Sequence, residues 1–123
     1  MYIGIDIIEA DRFKGMEIEQ LRRLFTEREV EYFDKKNFAV ETVAGLYCAK
    51  EAFFKALGTG MTQNSFREVE ILHTVNGAPY YRFTSELVQV HDMLSTARIQ
   101  VSISNTKNLS VAVCVIVPSS ILI

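Results

Sequence analysis

The chain has 123 residues, 49% of them apolar and 23% charged, with a net charge of −2 and two cysteines. That length fits one domain (1–123) that buries a core of its own. The near-neutral charge argues against nucleic acid as the main partner, and there is neither a basic tract nor an apolar run of membrane-spanning length.

Seven of the 13 Lys and Arg lie between Arg12 and Lys36, but Glu17, Glu19, Glu27, Glu29, Glu31 and Asp34 share that span, so the surface there is mixed. The N-terminus meets Asp6 too early for a signal peptide, which leaves a cytoplasmic protein as the expectation. Cys48 and Cys114 sit inside apolar runs, with no CxxC or Cys/His spacing for zinc, and read as buried free thiols.

The first element, "YIGIDII", is β-branched and short, the pattern of a strand over Tyr2–Ile8. "EADRFKGM" reads as a turn or a single helical turn. Ile18, Leu21, Leu24 and Phe25 form the stripe of an amphipathic helix. Thr26 and Glu29 have the spacing of a capping box, which starts a second helix through "EREVEYFDKK". "FAVETVAGLYCAKEAFFKALG" is the longest helix, apolar on more than one face and therefore central, with Gly58 placed to end it.

"REVEILH" alternates Val69 and Ile71 against Glu68 and Glu70, as a half-buried strand would. Asn76-Gly77 then signals a tight turn into a second strand. Ser85 is placed to cap a short helix over "ELVQVHDML". "ARIQVSISNTKNLSVAVCVIV" reads as two strands joined near Asn105–Asn108, the second apolar on both faces, as a central strand is. Strands and helices are segregated, so the fold class is α+β, with an antiparallel sheet packed against the long central helix.

Two carboxylates stand out. Asp6 interrupts an apolar strand, either as a cap for the next turn or as a displayed ligand. Glu51 lies one turn before Lys55, the spacing of a routine surface ion pair, yet Ala49, Ala52, Phe53, Phe54, Ala56 and Leu57 leave little solvated face around it. Buried charge is costly unless it is paired or holds a ligand. Two carboxylates without a Cys/His cluster suit a hard divalent cation such as magnesium. Lys55, followed by Gly58-Thr59-Gly60, would then set a positive charge beside open backbone amides. A Walker loop and a G-x-S-x-G elbow are both absent, and His73 and His91 have no partner pattern.

Taken in order, "GIDIIEADRF", "AGLYCAKEAFFKALGTG", "NGAPY" and "VSISNTKNLSVAV" resemble the holo-acyl-carrier-protein synthases, the small bacterial 4'-phosphopantetheinyl transferases, over nearly the whole chain. The resemblance implies the α+β 4'-phosphopantetheinyl transferase fold and a homotrimer with its active sites at subunit interfaces. It implies transfer of phosphopantetheine from coenzyme A to a serine of acyl carrier protein, as used in fatty acid biosynthesis, with magnesium as cofactor and no nucleic acid or membrane partner.

Residue by residue, it makes Asp6 and Glu51 the metal ligands, with Glu51 and Lys55 the catalytic pair. Lys55, Gly58, Thr59, Gly60, Asn105 and Thr106 become the coenzyme A site, and Arg12, Met16, Arg22 and Arg23 the carrier-protein docking surface. Three positions depart from the family's usual pattern: Leu46 stands where an Arg is common, Asn105 where His is usual, and Asn37-Phe38 where basic residues are common. The alternative these departures raise is a diverged, non-catalytic homologue that binds carrier protein or coenzyme A.

Overall fold

A computed structural model of the chain describes residues 1–58 and 66–121. β1 (Tyr2–Glu9) is followed by a 3-10 turn over Ala10–Phe13, then α1 (Ile18–Leu24), α2 (Glu27–Lys35) and α3 (Val40–Leu57). β2 (Val69–His73) and β3 (Pro79–Phe83) form a hairpin, α4 (Ser85–Val90) follows, and β4 (Arg98–Asn105) and β5 (Leu109–Val117) form a second hairpin. All strand pairs are antiparallel, in one sheet ordered β1-β5-β4 and a separate two-stranded sheet, β2-β3. The antiparallel sheet expected against the long helix is β1-β5-β4, and the β2-β3 hairpin forms a second sheet among the described residues. β5 is central, which explains why it is apolar on both faces.

The 18-residue α3 lies across β1 and β5 and carries twelve buried residues. Its approach to β1 is set by Gly4: a Cβ there would stand 1.9 Å from the carbonyl oxygen of Ala52 and 2.5 Å from the amide of Ala56. Strand backbone and helix backbone touch directly. Gly58 ends the helix in the left-handed conformation, φ 82°, and its N–H is donated to the Phe54 carbonyl.

The α2 start is the capping box read from the sequence. Thr26 Oγ1 accepts from the Glu29 amide, and Glu29 Oε1 accepts from the Thr26 amide at 2.8 Å. Glu29 does more than cap. It is fully buried, receives the Lys50 ammonium from α3 at 2.8 Å, and accepts from the Ile71 amide of β2 at 2.9 Å. Lys50 also donates to the Phe66 carbonyl at 2.7 Å. One buried ion pair thus joins α2, α3 and the start of β2.

Two local expectations are corrected. β2 does not alternate: Val69, Glu70 and Ile71 are all buried, because Glu70 accepts from the Thr26 hydroxyl and pairs with Arg82 at 3.5 Å. The cap of α4 is Thr84 rather than Ser85; the Thr84 side chain accepts from the Leu87 amide, and Ser85 is the first helical residue. The 74–78 turn falls where Asn76-Gly77 placed it, closed by Gly77 N–H to the Thr74 carbonyl at 2.8 Å.

The two faces of the three-stranded sheet differ sharply. Toward α3 it presents Gly4, Asp6, Ala112, Cys114 and Ile116. Away from it, Ile3, Ile5 and Ile7 stand in register with Val115, Val113 and Val111. Those three isoleucines are 59–64% exposed.

Candidate active site

Asp6 faces α3 because strand side chains alternate and Gly4 and Ile8 share its face. Cys48, Glu51 and Lys55 follow one another down α3 at helical spacing, and Tyr47 lies one turn before Glu51. Lys55 Nζ donates to Asp6 Oδ1 at 3.0 Å and to the Ile5 carbonyl at 3.2 Å. The Glu51–Lys55 pair that the spacing allowed is not what forms; the lysine reaches across to the strand. The hydrogen bond to Asp6 holds the Lys55 ammonium charged above lysine's ordinary range.

Cys48 shows how close the two carboxylates come. Its buried thiol has one proton and two acceptors in reach, the Ser110 carbonyl at 3.4 Å and the Asp6 carboxylate. Burial first, then Asp6 and Glu51, push this thiol up to about 12. Such a thiol stays protonated and is no nucleophile. Cys114 is likewise buried and raised to about 11, chiefly by burial, so the sequence reading of two inert thiols stands.

Tyr47 closes the cluster on the other side. Arg12, on the 3-10 turn after β1, donates from Nη2 to the Tyr47 hydroxyl at 3.2 Å, with its guanidinium carbon 4.9 Å from the ring centroid. Burial, and next the Glu51 carboxylate, raise this phenol and keep its proton on.

Asp6, Glu51, Lys55 and Arg12 are therefore brought into one cluster. Gly58 lies at the exit of α3 beside it, while Thr59 and Gly60 lie outside the described residues. Asn105 and Thr106 stand apart. Asn105 pairs with Ser110, which pairs with Ile8, so it sits two strands across from β1, about 10 Å sideways. Asn105 Oδ1 accepts from the Ser110 hydroxyl at 2.7 Å. The Thr106 hydroxyl accepts from the Asn108 and Leu109 amides in the β4–β5 turn. Asn105 and Leu46 do meet, with Tyr32, His73 and Pro79, around a cleft of about 170 Å³.

Of the expected docking residues, Met16 lines an apolar groove of about 480 Å³ with Phe13, Ile18, Leu21 and Phe38. Arg22 and Arg23 lie at the end of α1, Arg22 already paired with Glu27 at 2.9 Å. Sequence reasoning missed Tyr47, which its apolar neighbours presented as core; the signal available was its spacing of four from Glu51.

The donor set can be tested against a metal. Among the described residues, no cluster of three or more His, Cys, Asp or Glu side chains is arranged to hold an ion. What is present is two carboxylates whose charges both act on the Cys48 thiol, Asp6 within hydrogen-bonding reach of it and Glu51 one turn along the same helix. Magnesium commonly takes one or two protein carboxylates and fills its remaining positions with water and substrate phosphate, so the residues fit such an ion.

The fold belongs to a known class. The family model described as the 4'-phosphopantetheinyl transferase superfamily matches residues 2–114, and the chain belongs to that superfamily. Within it, the chain is 39% identical over 112 residues to a holo-[acyl-carrier-protein] synthase of Caldicellulosiruptor saccharolyticus, covering 89% of this chain and 90% of the relative. A crystal structure of a holo-(acyl-carrier-protein) synthase from Bacillus anthracis, in complex with CoA (3',5'-ADP), superposes with a TM-score of 0.78 at 32% identity, over 95% of this chain and 96% of the other. That from Neisseria meningitidis superposes with a TM-score of 0.82 at 29% identity, over 94% and 96%.

Proposed function

We propose that the chain transfers the 4'-phosphopantetheine group of coenzyme A to a serine of apo acyl carrier protein, releasing adenosine 3',5'-bisphosphate, with magnesium as cofactor. The observation that carries this is the contact of Lys55 on the helix with Asp6 on the strand at 3.0 Å, with Glu51 one turn before Lys55 on the same helix. Curated relatives at 39–41% identity bear the name of this enzyme.

Asp6 and Glu51 would hold the metal, which when bound would neutralise the pyrophosphate and stabilise the leaving group. Glu51, directly or through a water, takes the proton from the serine hydroxyl. The serine oxygen then forms its bond to the phosphorus that bears the pantetheine arm. The bond from that phosphorus to the bridging oxygen breaks, and the electron pair leaves with the 5'-phosphate of the nucleotide. Lys55 supplies positive charge to the phosphates, moving off Asp6, as its long exposed side chain permits. Arg12, Met16, Arg22 and Arg23 receive the acidic carrier protein, and Gly58-Thr59-Gly60 offers backbone amides to phosphate.

A homotrimer belongs to this reading. Asn105 and Thr106 are too far across the sheet to share a phosphate with Lys55 of the same chain, and an interface between copies would reunite them. The exposed Ile3, Ile5 and Ile7 row supports the same view, since an apolar sheet face left in water marks an association surface. Cytoplasmic residence, where coenzyme A and carrier protein are both available, completes the proposal. Among the described residues no helix is long and apolar enough to cross a membrane.

The test is mass spectrometry of apo carrier protein incubated with purified chain, coenzyme A and magnesium. A mass gain of one phosphopantetheine arm, abolished by chelator, is expected. Carrier protein that binds yet stays unmodified would replace the enzyme with the non-catalytic binding homologue.

A further inference from the structure

Tyr47 is held with unusual economy of freedom. It is 7% exposed, and its ring is fixed between Phe13, centroids 5.1 Å apart, and Phe66, edge-on at 5.0 Å. Phe66 is in turn anchored through its carbonyl by the buried Lys50. With the ring locked, the hydroxyl has one position. That position receives Arg12 Nη2 and lies beside the Glu51 carboxylate. A phenol can accept one hydrogen bond while donating another, and a carboxylate can only accept. Arg12 donates to Tyr47, which leaves the phenol's own proton to be offered to Glu51, one turn further along the same face of α3. The guanidinium has five N–H groups, so the contact to Tyr47 leaves others for an incoming acidic partner.

We infer that Tyr47 is a positioning residue that couples carrier-protein docking at Arg12 to the carboxylate of Glu51. Its hydroxyl presents the arginine to the partner and sets the orientation of the carboxylate. The inference rests on the roles given above to Arg12 and Glu51. Because coupling between two sites is reciprocal, a partner that seats Arg12 also steadies Glu51, and a settled Glu51 favours binding at Arg12.

The test is a double-mutant cycle on the full chain with Tyr47→Phe, Arg12→Ala and the double variant. The phenylalanine keeps both ring contacts, and a thermal melt within a few degrees of wild type verifies that the fold is kept. Two quantities are read: the Kd for apo carrier protein by calorimetry, and kcat with carrier protein and coenzyme A saturating. Loss of one charge-assisted hydrogen bond predicts an increase in Kd of about tenfold for Tyr47→Phe, and a lower kcat as well. Arg12→Ala in the Tyr47→Phe background costs less than in wild type.

Factors that simply multiply, or a Tyr47→Phe enzyme with wild-type Kd and kcat, overturn the coupling. A fall in stability with no change in either quantity also overturns it, because that is what a purely structural tyrosine would give. A wild-type chain that neither binds nor modifies carrier protein removes the reading beneath the inference, whereas an active wild type with multiplicative variants removes only the role of Tyr47.

Discussion

Lys50 Nζ lies 2.8 Å from Glu29 Oε1, and neither side chain is exposed at all. Burial presses the glutamate up and the lysine down, while each partner favours the other's charged form. Glu29 accepts from Lys50, the Thr26 amide and the Ile71 amide, so its oxygens are well supplied with donors. Removing one member leaves the other buried without its counter-charge. Lys50→Met is therefore expected to cost about 3–5 kcal/mol by chemical denaturation. Adding Glu29→Leu should recover part of that loss, since no bare charge then remains. A double variant worse than the single would contradict this account.

Glu51→Gln preserves size and amide-level polarity at a half-buried site outside the apolar core. Its melting temperature should stay within a few degrees of wild type. Transfer should fall on the order of a hundredfold or more, as when one electrostatic contact to a reacting group is removed. The measurement is the rate of mass gain on carrier protein. Asp6→Asn should lose activity too, and in addition frees Lys55 from its partner at 3.0 Å.

Gly4→Ala tests the contact between strand and helix. The added methyl would meet backbone atoms of Ala52 and Ala56, which cannot swing aside. Overpacking of this kind costs about 1–3 kcal/mol or more. A lower melting temperature and reduced soluble yield are expected. A variant as stable as wild type would mean that β1 and α3 can separate freely.

His73 supplies a pH dependence. It stacks on Tyr32 with centroids 4.0 Å apart, and burial, followed by the Lys36 charge, lowers it below its ordinary 6.5. The protonated form is disfavoured in the folded state, so the unfolded chain binds more protons as pH falls through 6.5. Stability should therefore decline as pH drops below 6.5, down to the lowered folded value, and recover as pH rises. His73→Phe should flatten that part of the profile, measured by denaturation at several pH values against wild type.

Much of the fold could be read locally. The Thr26–Glu29 capping box, Gly58 and the apolar period of α3 each carry their geometry within a few residues. The doubly apolar β5 announced a central strand for the same reason. What escaped depends on residues distant in sequence. Glu70 looked like the solvent face of β2 until Thr26 and Arg82 met it, and Lys50, set in an apolar helix, finds its partner only in Glu29 on another helix. Asp6 and Glu51 were legible as a pair because carboxylates are rare in such apolar company. Their true neighbour for Lys55 was not, since helical spacing pointed it at Glu51. Asn105 and Thr106 were grouped with Lys55 through resemblance alone, and one chain's topology keeps them two strands apart.

The bare contact at Gly4 has a consequence for how the enzyme ages under mutation. Asp6 sits two residues along the strand from that contact, and Glu51 sits next to Ala52 on the helix. Their separation is thus referenced to backbone meeting backbone, with no side chain serving as spacer. Core side chains elsewhere are free to be exchanged over generations without dragging the two carboxylates out of alignment, so the gap between them is conserved by what is missing at position 4.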